Sequence, residues 1–174
     1  LEILHIAERL KDATRHCYTS QGRHESVAEH SFRAALMAYF LRDEFPDADM
    51  DKVMRMCLIH DLGESFTGDI PAFEKNPDHR VLERERLHKW VETFPEPAKS
   101  EWLALYGEME EMATDEARLY KALDNLEAVI QHNESDISTW LPLEYDLQLR
   151  YGSENVQFSP YFKNLKGEID AWTR

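Results

Sequence analysis

The chain has 174 residues, 43% of them hydrophobic and 31% charged, a composition that supports one folded domain with a real core and excludes an intrinsically disordered chain. With 34 acidic against 20 basic residues its formal net charge is −14, which disfavours a nucleic-acid polymer as partner; the basic stretch from Arg80 to Lys89 alternates with Glu83 and Glu85, as a solvated helix face does. Two cysteines, Cys17 and Cys57, make no disulfide framework, and neither a long apolar run nor a charged-then-apolar leader is read, so the expectation is a cytoplasmic protein with no membrane partner.

Six glycines and seven prolines punctuate the chain, and between them apolar positions recur at three- and four-residue spacing with no convincing alternating strand. The expected fold is therefore all-α, a single domain over residues 1–174. A first helix runs from Leu1 to near Lys11, and Arg15 to Glu25 reads as an irregular polar connection. Ser26 opens a second helix through a capping box with Glu29, and Pro46 ends it. Asp49 or Asp51 caps a third helix that finishes near Gly63, after which Gly68, Pro71 and Pro77 impose a loop. Further helices are expected at about 78–93, 97–111, 114–133, 142–151 and 160–172, giving about six to eight in all.

Helical phase then selects the chemistry. His30 shares a stripe with Val27, Ala34, Met37 and Leu41, and His60 follows Val53, Met56 and Cys57 at seven, four and three residues. Both imidazoles are expected to point inward, with Asp61 directly after the second. In the helix that begins near Thr114, Asp124 stands apart from the apolar face of Leu119, Ala122, Leu123, Leu126, Val129 and Ile130. An ionised carboxylate there is costly to bury unless paired or bound to metal. Each residue alone has a plainer reading, such as a hydrogen-bonded core histidine or an ion pair of Asp124 with Lys121. Together, two imidazoles and two carboxylates suit one divalent ion: iron, manganese, cobalt, nickel, zinc or magnesium. Glu64, four residues after His60, could face a water on that ion and act as general acid or base.

His30, the pair His60-Asp61 and the later Asp124 reproduce the H…HD…D order of the HD superfamily. The strings Arg23 to His30, His60 to Pro71 and Lys121 to Asp124 resemble the branch containing the 5′-deoxynucleotidases. That resemblance covers about residues 3–135 and places the core motifs in 15–133, leaving residues 134–174 as accessory helices. It implies a helical HD domain, usually a homodimer, that removes phosphate from deoxynucleoside 5′-monophosphates by attack of a metal-bound water. His30, His60, Asp61 and Asp124 match the metal ligands, Glu64 the catalytic carboxylate, and Asp69 the acid that contacts the sugar. Arg15 falls where a phosphate-binding arginine is carried, and His16 stands where the bacterial enzymes have a tryptophan. Lys121 either reaches a substrate phosphate or orients Asp124. Arg23 is expected in a salt bridge with Glu25 or Glu29, and Thr67 in the turn around Gly68. His5, His24, His79, His88 and His132 fit no motif and are expected at the surface or in caps. Two alternatives remain: a related hydrolase of a cyclic nucleotide, an alarmone or a non-nucleotide monoester, or a non-catalytic domain that binds nucleotide or metal.

Overall fold

The computed structural model describes residues 1–173. Its helices are α1 (Glu2–Glu8), α2 (Val27–Leu41), α3 (Met50–Ile59), the four-residue α4 (Glu64–Thr67), α5 (Pro77–Val91), α6 (Ala98–Glu111), α7 (Asp115–Glu134), α8 (Glu144–Arg150) and α9 (Pro160–Thr173). The all-α expectation holds, with corrections at three places. The third helix stops at Ile59 and not near Gly63, so Glu64 opens a separate helical turn inside what was expected to be loop. The first helix passes into a short 3-10 turn from Arg9 to Lys11. The supposed connection after it holds two antiparallel strands, β1 (Thr14–Tyr18) and β2 (His24–Ser26).

The strands escaped the pattern search because they are short and irregular. Thr14 pairs with Ser26 and Tyr18 with His24, so four residue steps on β1 face two on β2. Such a bulge breaks strict alternation and re-aims side chains. Gly22, at φ +81°, closes the hairpin in a backbone conformation that favours glycine.

The centre of the protein is the mutual packing of α2, α3 and α7. Ser26 caps α2 as expected: its hydroxyl accepts from the Glu29 N–H, and the Glu29 carboxylate accepts from the Ser26 N–H. Arg23 holds Glu29 in turn through two guanidinium hydrogen bonds. Val27, Ala34 and Ala38 of α2, Val53, Met56 and Cys57 of α3, and Ala122, Leu123, Leu126 and Val129 of α7 are fully buried. Small alanines on facing helices allow the backbones to approach closely, which brings polar groups on the same faces within reach of one another.

Candidate metal centre and cleft

α2, α3 with its C-cap, and α7 each deliver one or two polar groups to a single point. His30 Nε2 lies 3.0 Å from Asp124 Oδ1. His60 Nε2 lies 3.1 Å from Asp61 Oδ2 and 3.4 Å from Asp124 Oδ1, and His30 Nε2 is 3.8 Å from Asp61 Oδ2. The four residues singled out by sequence thus come together, with His30, His60 and Asp124 forming the tightest group.

The outer nitrogens of the two rings say what this point is for. His60 Nδ1 donates to the Cys57 carbonyl at 2.8 Å, and His30 Nδ1 donates to the carboxylate of Glu127, a residue with no exposed surface. With both Nδ1 atoms carrying the proton, both Nε2 atoms turn lone pairs toward the carboxylates. His60 Nε2 is buried with no hydrogen-bond partner. Lone pairs facing carboxylates are unfavourable unless a cation lies between them. Donors around a cation bonded at about 2.1 Å are separated by about 3.0 to 3.4 Å, the range seen among the three closest pairs. The set fits a divalent ion, and nitrogen and oxygen donors without thiolate are its chemistry.

The electrostatics agree. Burial by itself would raise the carboxyls of Asp61 and Asp124, yet His60 beside the first, and Lys121 and His60 beside the second, hold both well below the usual carboxylate range. Lys121 Nζ is 2.7 Å from Asp124 Oδ2. Burial also disfavours charge on the two imidazoles, but the surrounding carboxylates outweigh it and raise both. The same carboxylates would favour a divalent ion at this point, bound by the neutral rings once those protons have left.

Around this point lies a cleft of about 560 Å³ lined by Arg15, His16, Asp61, Glu64, Asp69, Lys75, Lys121, Asp124 and others. The bulge in β1 lets the consecutive Arg15 and His16 both reach it, which a regular strand would forbid. Arg15 Nε is held 3.1 Å from the buried Glu25, and its Nη1 lies 3.7 Å from Asp61 Oδ2. Glu64 is 3% exposed. Burial first, then the carboxylates of Asp61 and Asp69, push its carboxyl up to about 9, so it carries a proton at neutral pH. Burial raises Asp69 as well. Thr67 turns its hydroxyl to the Gly68 carbonyl, and Gly68 at φ +75° makes the turn that precedes Asp69.

Several residues in this region were missed by sequence reasoning. Glu127 and Arg33, whose Nε is 3.0 Å from Glu127 Oε1, back His30 from outside. One signal was present: Glu127 follows Asp124 by three residues on an otherwise apolar helix face. Lys75 links Glu64 at 3.4 Å to Glu83 at 2.7 Å, in a segment read only as loop. His132, expected at the surface or in a cap, is buried in the cleft wall beside Glu144. The reason is helical phase: it follows Asp124 and Ala128 by eight and four residues on one side of α7. His79 does cap α5, and His5 and His24 are exposed.

A family profile described as HD domain matches residues 7–166. Human 5′-deoxynucleotidase HDDC2 is 33% identical over 98% of this chain and 84% of its own. The Dictyostelium discoideum protein of that name is 27% identical over 97% of this chain and 89% of its own. Among solved structures, a predicted metal-dependent phosphohydrolase from Magnetospirillum magnetotacticum superposes with a TM-score of 0.81, at 27% identity, over 99% of this chain and 89% of its own.

Proposed function

From the chain's membership of the HD-domain family, to which it belongs, we propose a metal-dependent phosphohydrolase that removes phosphate from deoxynucleoside 5′-monophosphates. The observation that carries this reading is the pair of imidazoles with Nε2 lone pairs converging on Asp61 and Asp124. His30, His60, Asp61 and Asp124 would hold one divalent ion, which neutralises charge on the phosphoryl oxygens and acidifies a water when bound.

The chain's own residues do the rest. Arg15, oriented by Glu25 at Nε, offers its Nη atoms to the phosphate oxygens, a planar fork matched to that geometry. Glu64, protonated in its buried position, gives its proton to the leaving 5′-oxygen. Asp69 accepts from a sugar hydroxyl at the cleft wall, and Lys121 orients Asp124 from the rim where a phosphate arrives. His16 stands further along the same wall.

The reading extends to assembly and place. Phe32, Leu36, Tyr39 and Phe40 on α2, with Leu58 on α3, are exposed apolar side chains, and the α2 four share one helical face at steps of four, seven and eight residues. That face supports a homodimer. Two buried free cysteines fit a reducing cytoplasm, and the net charge of −14 supports small nucleotides over a nucleic-acid polymer. The single domain over 1–174 is supported by α9 packing on α7, the helix that carries Asp124.

Phosphate release from a panel of phosphoesters by metal-loaded protein tests the activity. Deoxynucleoside 5′-monophosphates should lead the panel, and Glu64→Gln should lower kcat by about 10²- to 10⁴-fold with metal content unchanged. A panel led by cyclic nucleotides, alarmones or non-nucleotide esters, or a Glu64→Gln variant as active as its parent, would refute it.

A further inference from the structure

One stretch of the cleft wall is built for a ligand yet takes no part in phosphate chemistry. It lies along α7. His132 is eight residues beyond Asp124, about 12 Å along the helix axis at 1.5 Å per residue, and Ala128 between them also lines the cleft. That spacing is of the order of the distance from a nucleotide's 5′-phosphate to the far edge of its base. At this depth the wall is made by His132, His16, Glu144, Gln148 and Phe73.

Two of these have an unspent feature. Glu144, 2% exposed, accepts from the Leu141 N–H at 2.6 Å and stands 3.1 Å from His16 Nε2 and 3.4 Å from His132 Nε2, so it is fixed behind both rings. His132 Nε2 is out of line with that carboxylate and is buried without a hydrogen-bond partner. Gln148, 8% exposed, makes no side-chain hydrogen bond to the described residues although its amide carries two donors and an acceptor. Phe73 is half-exposed on the cleft, edge-on to His16 at 5.4 Å. A buried polar atom left unpaired, as His132 Nε2 is, costs stability unless a ligand completes it, and the Gln148 amide is free to bond a ligand in the cleft. Burial also lowers the His132 imidazole, so it is neutral at physiological pH and tolerates an uncharged heterocycle.

We propose that His16, His132 and Gln148, with Glu144 as the positioning residue behind the two imidazoles, form a hydrogen-bonding wall that reads the edge of the nucleobase, while Phe73 supports its face. The inference rests on the nucleotide reading given above. It makes the enzyme base-selective: a base whose edge satisfies the wall is favoured, and one that leaves these polar groups unpaired is rejected.

The test compares kcat/KM for dAMP, dGMP, dCMP and dTMP, with 2-deoxyribose 5-phosphate as a substrate without a base, in the parent, Gln148→Leu and Glu144→Gln. The parent should show a spread of at least about tenfold among the four nucleotides, the scale of one or two hydrogen bonds. In both variants the spread should collapse through a higher KM for the preferred nucleotide, with kcat and turnover of the sugar phosphate within twofold of the parent. A flat parent profile, or a spread unchanged in both variants, would overturn the inference and leave the phosphohydrolase reading standing. Equal loss on all substrates, the sugar phosphate included, would assign the cluster a structural role and overturn it too. A parent that releases phosphate from none of the nucleotides would sink the functional reading itself.

Discussion

Replacing Glu127 with glutamine changes one oxygen to an NH2 group at a place where both neighbours are donors. Arg33 Nε lies 3.0 Å from Oε1 as an ion pair without an aligned hydrogen bond, and His30 Nδ1–H donates to Oε2. A carboxylate presents an oxygen both to the Arg33 cation and to the His30 donor, but an amide has only one oxygen to offer. Arginine does not give up its proton, so the amide oxygen turns to Arg33 and the NH2 group faces His30 Nδ1. The imidazole then moves its proton to Nε2, the nitrogen that the proposed metal ion would need. Loss of such an outer partner costs about 10- to 100-fold in metal affinity, or about 1.4 to 2.7 kcal/mol. Calorimetric titration of metal-free protein with Mn²⁺ or Co²⁺ measures this directly, and ¹⁵N spectra of His30 report the tautomer. Glu127→Gln that binds metal as tightly as the parent, with Nδ1 still protonated, would refute the reasoning. A fall in thermal stability with unchanged affinity would do so as well, because it would make Glu127 merely structural.

Three further outcomes follow from the geometry. On the proposed homodimer, the parent should have a dimer's molar mass by light scattering and Phe32→Asp with Phe40→Asp that of a folded monomer; a monomeric parent, or an unchanged molar mass in the variant, would remove α2 as an interface. Gly152→Ala places a Cβ 2.9 Å from the Asn125 Cβ at a residue with φ +72°, and should cost roughly 2 kcal/mol, a melting temperature about 4–8 °C lower. An unchanged melt would show that the turn after α8 yields freely. Inorganic phosphate should bind metal-loaded protein at least about tenfold more tightly than metal-free protein; equal affinities would place the anion away from the four candidate ligands.

How much of this was legible in the sequence depended on whether a signal was local. The capping box at Ser26 and Glu29, the inward phase of His30 and His60, and the break at Gly68 depend on residues within a turn or two of each other, and the structure shows all three. The hairpin was illegible because its bulge erases the alternation by which a strand is recognised. Glu64 was placed by continuing a helix that in fact stops at Ile59; it reaches the cleft because a new turn begins at Gly63, where absence of a side chain accommodates Glu83. A Cβ at Gly63 would lie 2.8 Å from Glu83 Cγ. Lys75, Glu83 and Glu64 are joined across sequence separations that no periodicity encodes, and so are Arg33 and Glu127. Partners of that kind become visible only when the helices are packed.

These long-range pairs also explain how so acidic a chain can take an anionic substrate. Within the site three buried carboxylates each have their own cation: Glu25 has Arg15, Glu127 has Arg33, and Asp124 has Lys121. Those charges are offset locally although the chain as a whole carries −14. On the proposed reading a divalent ion between Asp61 and Asp124 would add positive charge in a buried place where screening by salt is weak. Arg15 gains most from the change. Its Nη1 lies 3.7 Å from Asp61 Oδ2, and a cation that engaged this carboxylate would leave the guanidinium fork to a phosphate. The same three pairs thus lower the cost of the buried carboxylates, and on the proposed metal reading the cleft would become attractive to an anion when the ion binds.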